Sequence, residues 1–168
     1  ITGAFFMLGV SAWFMSKGRH VEFARKSLKV ALVAGFIASV LQLGIGHWHG
    51  GQVAETQPEK LAAFEAHFDT QKNAPMVLFG IPDEEGGKVD LAVEVPWVLS
   101  IMVGNSPDTE VKGLNDFPRD EWPPVTPVFF SFRLMFFLGM YFIGLTGLGL
   151  LLLWRDKLYD NKLFMKLA

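Results

Sequence analysis

The sequence predicts an all-α integral membrane protein with three transmembrane helices and a long, partly helical extracytoplasmic loop. Three observations predict it. Hydrophobic residues make up 51% of the 168 and aromatic residues 14%, with a mean hydropathy of +0.31, unlike an ordinary soluble domain. That excess is gathered into three charge-free runs, and basic residues cluster where the first and third of them end.

Residues 1–16 are the first run. At 1.5 Å per residue they reach only about 24 Å. With no leading basic segment or small-residue cleavage signal, they read as the latter part of a transmembrane helix rather than a signal peptide. Residues 17–29 form a basic turn carrying Lys17, Arg19, Arg25, Lys26 and Lys29. Residues 30–47 hold the 17-residue uncharged run Val30 to Gly46, and residues 125–154 the 20-residue run Leu134 to Leu153. Both fall in the range that crosses a hydrocarbon core. Residues 155–168, with Arg155, Lys157, Lys162 and Lys166, read as a turn and the start of a further helix. The positive-inside rule makes both basic segments cytoplasmic and puts the loop, residues 48–124, on the outer side. From Gly50 to Pro124 the loop carries 5 basic and 14 acidic residues, while the whole chain is only −2, so nothing points to nucleic acid. The absence of cysteine excludes disulfides, thiolate metal sites and cysteine nucleophiles from this stretch.

Within the loop, QPEKLAAFEAHF predicts a short helix over residues 57 to 69. Thr56 and Glu59 have capping-box spacing, and Pro58 suits a first turn. With Lys60 set at zero and about 100° per residue, Phe64 falls near 40°, Phe68 near 80°, Leu61 near 100°, Glu65 near 140° and His67 near 340°. A flat apolar strip thus lies between a cation and a carboxylate. Two readings fit it: a face for a planar, lipophilic molecule with polar oxygens, or an amphipathic helix edged by charge and lying on a membrane or a protein core. Further on, KVDLAVEV alternates like a strand. PWVLSIMVG reads as a short helix or as an interfacial segment with Trp97 at headgroup level. A loop this long and apolar is expected to pack on the membrane domain and make a site there.

Arg133 stands inside the apolar part of the third membrane helix, where a charge costs about 2.5–3.5 kcal/mol and calls for an anion; snorkelling to the outer interface is the alternative. Met135 reads by type alone as packing. The two lie about 200° apart around the helix, so one cofactor touching both would have to do so from different sides or through the arginine stem. His47 and His49 read as interfacial polar residues, with no third ligand at metal spacing, and His20 has no evident partner. Glycines 139, 144, 147 and 149 permit close helix packing rather than forming a phosphate loop.

Taken together, ITGAFFMLGVSAWFMSKGR, GHWHGGQVAETQPEKLAAFEAHF, LFGIPDEE, VKGLNDFP and FSFRLM resemble subunit I of the cytochrome bd quinol oxidases over essentially the whole chain. The order fits the end of the fifth membrane helix, the sixth, a quinol-binding loop of the short type, the seventh and the start of the eighth. The resemblance implies a bacterial membrane protein whose outer loop oxidises quinol, ubiquinol or menaquinol. It implies roles for Lys60 and Glu65 in that oxidation, with Gln57 adding a polar contact. The helical face adds Phe64 and Phe68 as the surface against which the ring lies. It further implies Met135 as an axial ligand of a low-spin haem b, with Arg133 close to that haem. The partner histidine, the high-spin haem b, the haem d and the site of oxygen reduction are then expected outside this stretch, in the remainder of subunit I, with subunit II as partner. The fragment alone is expected to be inactive. The competing class is a non-enzymatic membrane scaffold whose outer loop binds a lipid or a partner protein.

Overall fold

In the computed structural model, which describes all 168 residues, the apolar runs become helices: α1 (Thr2–Ser16), then α2 (Val21–Thr56), much longer than the uncharged stretch inside it. Next come α3 (Pro58–Glu65), a two-stranded antiparallel hairpin of β1 (Met76–Asp83) and β2 (Lys88–Val95), and α4 (Val98–Gly104). Two 3-10 turns, Leu114–Asp116 and Arg119–Glu121, lead into α5 (Val125–Trp154), and α6 (Lys162–Leu167) closes the chain. The residues form two compact units, Ile1–Leu43 with Phe137–Ala168, and Gly44–Phe136.

In the first unit, Leu8, Ala12, Leu28, Ala31, Leu32, Leu145, Leu158 and Phe164 make a core from four helices. Phe5 stacks on Phe142 at 4.0 Å, and the Tyr141 hydroxyl donates to the Leu167 carbonyl at 2.6 Å. Gly149 belongs to this contact, because a Cβ there would run into the Leu32 and Phe164 side chains. Outward, Phe6, Val30, Ile37, Leu41, Leu148 and Trp154 are exposed. Such apolar surface suits a lipid environment. Two helices, α2 and α5, are long and apolar enough to cross a membrane, whereas α1 is apolar but has only 15 residues.

The second unit is mixed rather than all-helical. β2 covers KVDLAVEV, the segment whose alternation predicts a strand, and it pairs with β1. β1 itself carries no such signal, since MVLFGIPD does not alternate and contains Gly80 and Pro82. The pairing is irregular: register shifts fall between Val77 and Phe79 and between Phe79 and Ile81. Leu91 on the other strand sits at φ 53. PWVLSIMVG contains the short helix α4, whose Ser100 hydroxyl accepts from the Ala74 N–H at 2.8 Å and donates to the Thr109 carbonyl at 2.7 Å.

Around α3 the expected helix is corrected at both ends. The capping box does not form, because α2 runs to Thr56 and the Thr56 hydroxyl donates back to the Gln52 carbonyl at 2.7 Å. Gln57, at φ −145, is the N-cap and offers no side-chain bond, as the residue before a proline is pushed out of the helical region. At the other end Ala66 takes the left-handed conformation (φ 52, ψ 42), and the His67 N–H donates to the Ala62 carbonyl at 2.8 Å. The helix therefore stops at Glu65.

The chain after this cap is clasped to the segment before the first 3-10 turn. The Leu114 N–H donates to the His67 carbonyl and the Asn115 N–H to the Phe68 carbonyl, both at 2.9 Å, and Gln71 pairs with Val111. Gly113 makes the clasp possible, because a Cβ at this position would collide with the Phe68 carbonyl oxygen. Gly113→Ala is expected to destabilise the second unit by about 1–3 kcal/mol. Gly139→Ala, whose added Cβ meets nothing within 4 Å, is expected to have little effect. Thermal melting of the two variants checks this, and equal melting temperatures would contradict it.

Candidate functional site

Glu65 is the last residue of α3 and is 2% exposed. Its Oε2 accepts a hydrogen bond from Arg133 Nη2 at 2.5 Å, and Arg133, two turns into α5, is 3% exposed. The anion that an arginine in this run requires is therefore a loop carboxylate, and the arginine is buried rather than snorkelling. Neighbouring residues repeat the match: Phe64 stacks on Phe132 at 4.4 Å. The guanidinium carbon lies 5.0 Å from the Phe129 ring centre and 5.5 Å from that of Phe132. Burial pushes the Glu65 carboxyl above the ordinary carboxylate range, and the charge and hydrogen bond of Arg133 pull it back down.

The other predicted site residues divide around this pair. Lys60 and Gln57 are exposed, on the solvent side of α3. Leu61 and Phe68 are buried in the core of the unit, Phe68 beside Trp122 at 6.0 Å between ring centres. The strip between Lys60 and Glu65 is thus not an open face: Leu61 packs as protein core, and Phe68, beyond the end of the helix, is buried as well. Phe64, half-buried, is the part of the strip beside the ion pair that is not fully enclosed. A cavity of about 180 Å³ lined by Ala54, Glu55, Pro58, Leu61, Val103, Glu110, Val111 and Lys112 includes neither Lys60 nor Glu65. It is smaller than usual ligand sites of about 300–1,000 Å³.

Met135 lies on the outer side of α5 and is 60% exposed, with Leu134 and Leu138 exposed beside it. A thioether offered on an apolar helix face fits an axial haem ligand. Arg133 precedes Met135 by two positions on the same helix. It is turned to Glu65, and its Nε and Nη1 are enclosed without an acceptor.

Two further residues matter that their types alone do not reveal. His67 is buried, its Nε2 has no partner, and burial lowers its pKa against the raising influence of the Val111 backbone and the Asp69 charge. Glu84, in the hairpin turn, accepts from both the N–H and the hydroxyl of Thr126 at 3.0 Å. Only the acidic turn DEEGG signals the second, and nothing local signals the first.

Removing one member of a buried ion pair costs about 3–5 kcal/mol, because the other charge stays buried alone. Arg133→Met is expected to lose stability in a pH-dependent way. Without the guanidinium the Glu65 pKa rises further, so the folded state keeps its stability below the unfolded carboxyl pKa and loses it as pH rises through the folded value. Melting temperatures between pH 5 and 8 check this, and a deficit independent of pH would contradict it.

The family model described as cytochrome bd terminal oxidase subunit I matches residues 1–168. The chain is 41% identical over 166 residues to a putative cytochrome bd menaquinol oxidase subunit I of Bacillus subtilis (strain 168), covering 96% of this chain and 37% of that protein. It is 33% identical over 177 residues to cytochrome bd ubiquinol oxidase subunit 1 of the same organism, covering 99% and 38%. It is 32% identical over 124 residues to cytochrome bd-II ubiquinol oxidase subunit 1 of Escherichia coli (strain K12), covering 73% and 24%. The structure of bd oxidase from Geobacillus thermodenitrificans superposes with a TM-score of 0.91 at 37% identity, over 99% of this chain and 38% of that one. The chain thus spans less than two fifths of the length of these relatives. It belongs to the cytochrome bd terminal oxidase subunit I family.

Proposed function

We propose that this chain is the electron-entry part of a bd-type quinol oxidase, in which quinol is oxidised at the outer face of a bacterial membrane and Glu65 takes up its protons. The observation that carries the reading is the buried Glu65–Arg133 pair, formed where the loop meets the start of a membrane helix. Oxidation of quinol to quinone releases two electrons and two protons, and a general base works best with a pKa near the working pH. Burial raises the proton affinity of Glu65, which favours proton uptake, while the charge and hydrogen bond of Arg133 oppose that rise and favour the carboxylate. Arg133 holds Oε2, which leaves Oε1 to receive each proton from the substrate hydroxyl. Lys60, exposed four residues before Phe64, donates a hydrogen bond to the other quinol oxygen, and Gln57 adds a polar contact. Phe64, backed by Phe132, gives the ring an apolar surface, and Phe68 holds α3 in place from the core.

In this reading α1 belongs to a third membrane crossing and the loop lies outside, so protons leaving Glu65 add to the proton gradient. Met135 would hold a low-spin haem b, which would supply the electron acceptor, and its thioether would favour a higher potential than two histidines would. Haem b of the high-spin kind, haem d, oxygen reduction and contacts with subunit II belong to the remainder of the complex.

In the full-length assembled enzyme, Glu65→Gln is expected to lower quinol turnover by about 10²–10⁴-fold. The haem spectrum and turnover with an artificial donor that bypasses the quinol site are expected to persist. Unchanged quinol turnover would mean that α3 is structural, as in a scaffold.

A further inference from the structure

We propose that Glu84 is a positioning residue for quinol oxidation: by capping the first turn of α5 it fixes the rotation and height at which Arg133 meets Glu65. The inference rests on the reading of Glu65 as the base.

The start of α5 is poor in ways of satisfying itself. Its sequence is Pro123-Pro124-Val125-Thr126-Pro127, so prolines remove donors on both sides of the Val125–Thr126 pair, and the first backbone bond of the helix register runs from the Val128 N–H to the Pro124 carbonyl at 3.3 Å. The Thr126 N–H is left without a partner in its own helix. Glu84 supplies one, taking that N–H and the Thr126 hydroxyl on a single carboxylate oxygen at 3.0 Å each. A negative charge at this end also opposes the helix dipole favourably.

The cap is itself held firmly. Arg119 donates from Nη1 to the Glu84 carbonyl at 2.8 Å and from Nη2 to the Glu85 carbonyl at 3.3 Å, and its guanidinium lies 4.7 Å from the Trp122 ring centre. Trp122 in turn donates from Nε1 to the Phe117 carbonyl at 3.1 Å. In the turn of the hairpin, the Gly86 N–H donates to Asp83 Oδ1 at 3.0 Å. The carboxylate is therefore presented by a braced turn rather than by a free loop.

Position on the helix links the cap to the ion pair. Thr126 and Arg133 are seven residues apart, about 20° from each other around the axis and about 10.5 Å along it. Phe129, fully buried and under the Arg133 guanidinium, lies between them. One stripe of α5 is thus gripped at two heights by two loop carboxylates, Glu84 at its first turn and Glu65 two turns deeper. Release of the upper grip allows the stripe to turn, and a rotation of the helix moves the long Arg133 side chain away from the Glu65 oxygen. Glu65 would then keep its burial and lose its cation, so its proton would be held more tightly.

The test uses the full-length assembled enzyme. In Glu84→Ala, quinol kcat is expected to fall about fivefold, the scale of losing a good helix cap, with KM changed by less than about twofold. The pH at which quinol turnover is half-maximal on its rising limb is expected to move upward, while turnover with the bypass donor stays the same. Glu84→Gln, which keeps an accepting oxygen, is expected to restore both kcat and the pH midpoint. If Glu84→Ala does not assemble, Thr126→Val, which removes the hydroxyl donor and keeps the N–H, must shift the pH midpoint in the same direction. An unchanged kcat and pH midpoint, or an equal loss of quinol and bypass turnover, would overturn the proposal. Quinol turnover and pH midpoint unchanged in Glu84→Ala, with turnover lost in Glu65→Gln, overturn only the positioning role, whereas unchanged turnover in Glu65→Gln removes the base assignment beneath it.

Discussion

A guanidinium in an apolar helix must find an anion, and the fold of residues 44–136 is arranged so that Arg133 finds Glu65. Such a pair is not a cheap source of stability. Desolvation of two charges offsets most of their attraction, and two packed apolar residues would do as well or better. What the pair provides is a carboxyl group whose proton affinity is set by two opposed influences, burial from α3 and its surroundings and positive charge from α5. Burial favours the protonated form, and the neighbouring cation favours the carboxylate.

The local structure can be followed from that requirement. Glu65 reaches α5 because α3 ends there, in a left-handed Ala66 that turns the chain at once. Without that cap, a longer helix would carry the chain past the point of contact. The segment that follows is then secured by hydrogen bonds of Gly113, Thr70 and Asn115, through both backbone and side chains, so the helix end has anchors besides the ion pair. Phe64 on Phe132 adds an apolar contact directly beside the charges, which excludes water from them and keeps their interaction strong.

Much of this was legible in the sequence, for reasons that differ from element to element. The long helices announce themselves through charge-free runs, and α3 and β2 through their periods, all of which are local properties. Arg133 and Glu65 each stand out separately, one as a charge in a membrane run and the other as the edge of an apolar strip. Their pairing spans 68 positions and has no local trace. For the same reason the apolar strip of α3 reads equally well as a ligand face or as core, and only the placement of Leu61 and Phe68 in the core decides most of it. β1 was hidden because its partner, rather than its own alternation, makes it a strand. The capping box failed because α2 continued into the position it needed, where the Thr56 hydroxyl bonds back to the preceding turn instead.

The most direct measurement is the protonation state of Glu65 itself, followed by infrared difference spectroscopy of the assembled, full-length enzyme as quinol is added, with Glu65→Gln identifying the band. The account predicts a carboxylate at neutral pH before quinol is added and transient gain of a proton during turnover. A Glu65 that is protonated at rest, or that stays ionised throughout turnover, would contradict it.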